Sequence, residues 1–166
     1  MTINPSDTKK YMNRKQGYIY LLSFFVTCLI AFVLFQVFFE NMVVDGNSMS
    51  PTLLDGDIGI CVKSTFSSVE KGDIVNIKSS YLGEDIVKRV IATEGDAVLI
   101  KDGIVYINNN QEHYSIQRTK GEVSLTVPKG QIFVLGDNRG DSTDSRIIGC
   151  VSIAEVNSIL LFHFRL

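Results

Sequence analysis

From Tyr18 to Phe39 the chain runs for 22 residues without a charged side chain, and Leu, Ile, Val and Phe dominate the run. A helix of that length reaches about 33 Å at 1.5 Å per residue, roughly the thickness of a bilayer core. A buried core helix is one rival reading, but such helices are rarely apolar on every face for six turns. A cleaved leader is the other. Its apolar stretch is shorter and ends at a small-x-small site, and Glu40-Asn41-Met42-Val43-Val44 offers none. The pattern therefore predicts a single retained transmembrane helix over residues 17–39.

After Phe39 the grammar changes to short β-branched or alternating runs broken by Gly and Asp. Ile58–Val62, Ile74–Ile77 and Ile86–Ile91 read as strands. Val98–Ile100 and Ile104–Ile107 flank Lys101-Asp102-Gly103 as a hairpin, while Val123–Val127 and Ile132–Leu135 flank a Pro128-Lys129-Gly130 turn. The stretch from Ser152 to Phe164 leans towards strand around Ile159-Leu160-Leu161-Phe162. Residues 40–166 are expected to form one mostly β domain.

Charge changes this picture by giving it a direction. The net charge is −2, which provides no global case for nucleic-acid binding. Residues 1–16, however, set Lys9, Lys10, Arg14 and Lys15 against Asp7 alone. A basic tail ahead of an apolar helix predicts a cytoplasmic N-terminus and an extracytoplasmic β domain. Cysteine adds little. With three Cys no fully paired framework exists, Cys28 lies in the apolar run, and nothing local argues for or against a Cys61–Cys150 bridge.

Three segments break the strand pattern. In Asp45-Gly46-Asn47-Ser48-Met49-Ser50-Pro51-Thr52-Leu53, a Ser on a tight turn can meet a substrate carbonyl, with backbone N–H groups nearby as an oxyanion hole; an ordinary polar loop is the competing reading. In Asp85-Ile86-Val87-Lys88-Arg89-Val90-Ile91 a basic pair interrupts an apolar strand, and alternation sends Lys88 and Arg89 to opposite faces. A desolvated Lys88 can lose its charge and take a proton from a serine, whereas a solvent-facing lysine does neither. Gly136 to Gly149, with Asp137, Arg139, Asp141, Ser142, Asp144, Ser145 and Arg146, is a polar loop able to brace itself through Asp144 and Arg146. A calcium loop is the alternative there, but the regular spacing of acidic ligands is missing. His113 and His163, the two histidines, read as surface or packing residues rather than parts of a Ser/His triad.

Together these segments resemble the boxes of bacterial type I signal peptidases. The matching residues are S-M-x-P-T-L at Ser48–Leu53, G-D-I-V at Gly72–Val75 and K-R-V-I at Lys88–Ile91. Gly95-Asp96 and G-D-N-R-x-x-S-x-D-S-R-x-x-G at Gly136–Gly149 complete the set, in family order behind an amino-terminal anchor. The single anchor and small outer domain are similar to those of the compact Gram-positive members.

The resemblance implies a Ser/Lys dyad endopeptidase that removes signal peptides from exported preproteins, without metal or cofactor. Ser48 is then the nucleophile, with its backbone N–H in the oxyanion hole, and Lys88 the general base. Ser142 corresponds to a hydroxyl that bonds and orients the lysine, and Asp144 with Arg146 to a structural ion pair. Met49, Pro51, Leu53, Ile86 and Val87 correspond to walls of the substrate cleft. Partners implied are preproteins, the lipid bilayer and the secretion translocon. Two departures stand out: Gly46 where some relatives carry an assisting hydroxyl, and Ala92 and Glu94 where Gly and Pro are usual. Self-cleaving Ser/Lys repressors are a rival that the apolar run argues against. A non-catalytic anchored scaffold or chaperone for secreted or pilus subunits is the rival from another class, and retention of both Ser48 and Lys88 argues against it.

Overall fold

The computed structural model describes residues 5–165, with side chains from Lys15 to Arg165. It divides at Phe38 into two compact units. The first is one helix, α1 (Pro5–Phe38), whose segment Lys15–Phe38 contains an 18-residue stretch of mean hydropathy 2.5 and has no buried residues. Ser23 and Thr27, two polar interruptions, donate their hydroxyls to the carbonyls of Tyr20 and Ser23, so the helix satisfies them internally. The expected basic tail is helical backbone from Pro5 onward, while the side chains of Lys9, Lys10 and Arg14 lie outside the described residues.

The helix stops one residue earlier than its apolar pattern predicts. Phe39 opens strand β1 (Phe39–Val43), pairing with Val62 of β2 (Ile58–Lys63), and this ladder takes precedence over the apolar pattern. The remaining strands are β3 (Ile74–Ser79), β4 (Glu84–Thr93), β5 (Ala97–Lys101), β6 (Ile104–Ile107) and β7 (Asn110–Gln111). They continue with β8 (Val123–Thr126), β9 (Gln131–Leu135), β10 (Val151–Ser152) and β11 (Val156–Phe164). A single helical turn, α2 (Ser145–Ile148), follows the polar loop.

Seven strands form an antiparallel sheet in the order β1-β2-β11-β3-β4-β9-β10, and four form a smaller sheet, β7-β6-β5-β8. The expected hairpin is β5–β6, closed by Asp102 and Gly103 at φ 53° and 80°, the left-handed pair that a two-residue turn needs. The Pro128–Gly130 turn carries the chain from one sheet to the other, because β8 pairs with β5 and β9 with β4.

Alternation gives each sheet an apolar inner face. Val75, Ile77, Val90, Val134 and Ile159 form the main core, while Ile91, Val98, Ile100, Phe133 and Leu135 fill the space against the small sheet. A third cluster, Met42, Val44, Met49, Leu53, Cys61 and Ile74, lies under the turn that carries Ser48. Fully burying a side chain such as Leu53 stabilises by about 1.5–3 kcal/mol, so this turn is anchored from below.

Candidate active site

The loop between β1 and β2 is pinched at its neck, where Gly56 N–H donates to Val44 O and Val44 N–H to Asp57 O, both at 2.9 Å. Within it, Ser50 N–H donates to Asn47 O at 3.1 Å and Leu53 N–H to Met49 O at 3.0 Å, winding a tight turn around Ser48. Gly46 takes φ +85°, a conformation that favours glycine, and its N–H reaches Asp55 Oδ1 at 2.8 Å. Met49 and Leu53, exposed by 1% and 0%, anchor the turn in the core.

Across from this turn, β4 delivers Lys88. Its Nζ lies 2.8 Å from Ser48 Oγ and 2.9 Å from the carbonyl of Val87. Only 4% of Lys88 is exposed. Burial pushes its amine below the ordinary value near 10.5, against the opposing pull of the Asp144 and Glu84 carboxylates. Arg89 points the other way, as alternation demands, but it is clasped rather than solvated. Its Nε and Nη2 bind Asp137 at 2.8 and 2.6 Å, Nη1 binds Gly72 O, and the guanidinium lies over the Tyr114 ring.

The loop after β9 closes the site. Asp144 is fully buried and takes a two-pronged ion pair from Arg146, with Nε 2.7 Å from Oδ1 and Nη2 2.8 Å from Oδ2. It also accepts the Gly136 N–H at 3.1 Å and caps α2 through Arg146 N–H. Arg146 continues to the carbonyls of Ser142 and Arg139, so one pair laces the loop. Asn138 N–H and Nδ2 then reach the Ser48 turn, donating to Ser48 O at 3.0 Å and Asn47 O at 3.1 Å. The loop's aspartates are thus largely taken up by arginines, and no metal-ready cluster of His, Cys, Asp and Glu occurs among the described residues.

Ser48 and Lys88 line a cleft of about 800 Å³ bounded by residues 41–43 of β1 with Val44 beyond it, residues 84–87 of β4 and residues 140–143 of the polar loop. Of the five residues assigned to a substrate cleft from the sequence, Met49, Ile86 and Val87 are among its walls. Two others are not. Leu53 is a core pin under the turn and Pro51, after a cis Ser50–Pro51 bond, is exposed, so neither borders the cleft. Ser142 lines the cleft, yet its buried hydroxyl has no hydrogen-bond partner among the described residues, because Lys88 Nζ turns to Ser48 and back to its own strand. Cys61 and Cys150 are free thiols in separate clusters, and burial pushes Cys61 up to about 11.

Sequence reasoning did not find several contributors. Thr52 donates to Asp137 Oδ2, tying the Ser48 turn to the Arg89 clasp. Glu112 pairs with Arg139 at 3.0 Å in an almost fully buried contact, and Thr119 accepts from the same guanidinium. These are single polar residues within variable-looking loops, with no periodic signal to mark them.

Both the sequence and the fold have counterparts among known proteins. The family model described as signal peptidase, peptidase S26, matches residues 18–164. Signal peptidase I U of Bacillus subtilis is 34% identical over 148 residues, covering 80% of this chain and 79% of that protein. Signal peptidase I of Bacillus caldolyticus is 36% identical, covering 85% and 87%. The crystal structure of a signal peptidase I from Enterococcus faecalis superposes with a TM-score of 0.51 at 32% identity, over 57% of this chain and 97% of that one. On the span of that match and the likeness of these relatives, the chain belongs to the S26 family of signal peptidases.

Proposed function

We propose that this protein is a membrane-anchored serine endopeptidase that cleaves signal peptides from exported preproteins with a Ser48/Lys88 dyad. The observation that carries the reading is the buried Lys88 amine 2.8 Å from the Ser48 hydroxyl in an open cleft. A neutral amine at that distance takes the hydroxyl proton as Oγ attacks the scissile carbonyl. The carbonyl oxygen becomes an oxyanion beside the Ser48 N–H, the amine leaves with a proton from Lys88, and an acyl-enzyme remains. Lys88 then deprotonates the water that releases the acyl chain.

Substrate positioning follows from two strand edges. Among the described residues β1 pairs with β2 alone in the sheet, and β9 covers β4 from Arg89 to Thr93, leaving residues 84–88 open on that side. An extended peptide in the cleft can hydrogen-bond to such edges and place alternate side chains in pockets. With the basic residues cytoplasmic and residues 40–166 outside, the cleft lies in the compartment to which a translocon delivers preproteins. Incubating the detergent-solubilised full chain with a preprotein tests the reading. A single cut after the signal peptide, located by sequencing the product, is the expected outcome, and an uncut preprotein counts against it.

Gly136 gives a steric check. A Cβ there would stand 2.5 Å from the Ser48 carbonyl oxygen and crowd Ser142. Gly136→Ala is expected to cost about 1–3 kcal/mol by overpacking. It should also lower kcat on the order of 100-fold by displacing Ser48. Denaturant melts and peptide cleavage measure both, and full activity would show that the loop does not seat against the turn.

The anchor is expected to govern location more than bond-making. A chain starting at Phe39 keeps β1, Ser48, Lys88 and the polar loop, so it should retain cleavage of soluble peptides. Processing of membrane-inserted preproteins should fall much further, because the anchor raises effective concentration on a shared surface. Equal losses on both substrates would mean that the helix only supports folding.

A further inference from the structure

We infer that Asn138 positions the oxyanion hole by holding the Asn47–Ser48 peptide plane from both ends of Ser48. The inference rests on the dyad reading above and adds a residue to it. With glycine at position 46, no side chain there can donate to an oxyanion, so the Ser48 N–H carries that role without a hydroxyl beside it. A trans peptide is planar, with its C=O and N–H pointing in opposite directions. Whatever grips the carbonyl of Asn47 therefore sets the direction of the Ser48 N–H. Two donors grip it: Ser50 N–H, within the turn, and Asn138 Nδ2, at 3.1 Å from outside it. The acceptor is a carbonyl oxygen, which fixes the amide orientation of Asn138 with nitrogen towards the turn. The Asn138 backbone N–H holds the next carbonyl, Ser48 O, at 3.0 Å. Ser48 is thus clamped at the peptide before it and the peptide after it by one residue of the polar loop. The Ser48 N–H itself donates to no acceptor among the described residues, so it is available to developing charge.

Asn138 touches no reacting atom, and its effect should appear only where charge forms on the substrate oxygen. Removing a direct oxyanion donor costs about 100- to 1,000-fold in kcat, and misdirecting one should cost less, about 10- to 100-fold. Asn138→Asp keeps the size and the backbone bond but replaces the donor with an acceptor facing Asn47 O, and Asn138→Ala removes the side chain. The test compares wild type with both variants in peptide cleavage. It also compares inhibition by a peptide aldehyde, which Ser48 can convert to a tetrahedral oxyanion, with inhibition by the same peptide as an amide. The expected result is a loss in kcat with KM within about twofold, and aldehyde affinity reduced by a similar factor while amide affinity holds. A purely structural role would lower the fraction of titratable sites and the melting temperature but leave the aldehyde-to-amide ratio of the intact sites unchanged, and that outcome overturns the inference. If wild type neither cleaves the peptide nor responds to the aldehyde, the dyad reading itself falls.

Discussion

Replacing Ser48 with Ala should extinguish cleavage while leaving the domain folded. In the proposed mechanism the hydroxyl is the attacking atom, and its removal takes away one contact, the 2.8 Å approach to Lys88 Nζ, from a turn anchored by Met49 and Leu53 in the core. Loss of a serine nucleophile costs on the order of 10⁴- to 10⁶-fold in kcat, so residual cutting should be invisible in a preprotein assay. The melting temperature should shift little. Ser50, two residues on, is the internal control, since its backbone shapes the turn while Ser48 supplies the oxygen. Cleavage lost in Ser50→Ala and kept in Ser48→Ala would assign the nucleophile wrongly.

Lys88 carries the second large effect, and it has two faces. Lys88→Arg should be nearly as inactive as Lys88→Met, because a guanidinium does not release a proton at usable pH. Wild-type activity should rise with pH through the depressed lysine pKa, since the neutral amine is the base in the proposed mechanism. Stability should follow the same sign. Burial lowers the folded-state pKa, so the unfolded chain binds the extra proton more readily. Wild type therefore gains stability as pH rises from the folded pKa to the unfolded value near 10.4, by about 1.4 kcal/mol per unit of separation. Lys88→Met should lack that slope and be more stable than wild type below the folded pKa. Denaturant melts across pH measure the difference, and parallel curves would show that the amine is solvated.

Much of the β architecture was readable because strands β2 to β6, β8 and β9 each carry a local apolar pattern bounded by turn residues. β1 was not, since Phe39 continues the apolar run of the helix and the strand exists only through its pairing with β2. Ser48 and Lys88 were legible through motifs, whereas the roles of their neighbours depended on facing. Leu53 sits in a turn, where no periodicity tells inward from outward, and it proved to be a core pin rather than a cleft wall. The Asn138 and Thr52 contacts bridge 91 and 85 residues, and nothing local in a polar loop announces such a partner.

Ser48 and Lys88 stand 40 residues apart in sequence, one on the loop between β1 and β2 and the other on β4, with the polar loop arriving later still. In the extended chain the amine is an ordinary solvated ammonium and the serine an ordinary alcohol, so neither can attack an amide bond. Reactivity begins only when β4 closes on the nucleophile turn and water leaves the lysine. Folding is therefore the activation step of the enzyme proposed here. On that reading, a nascent copy is chemically silent until its sheet is complete, even beside its own substrates.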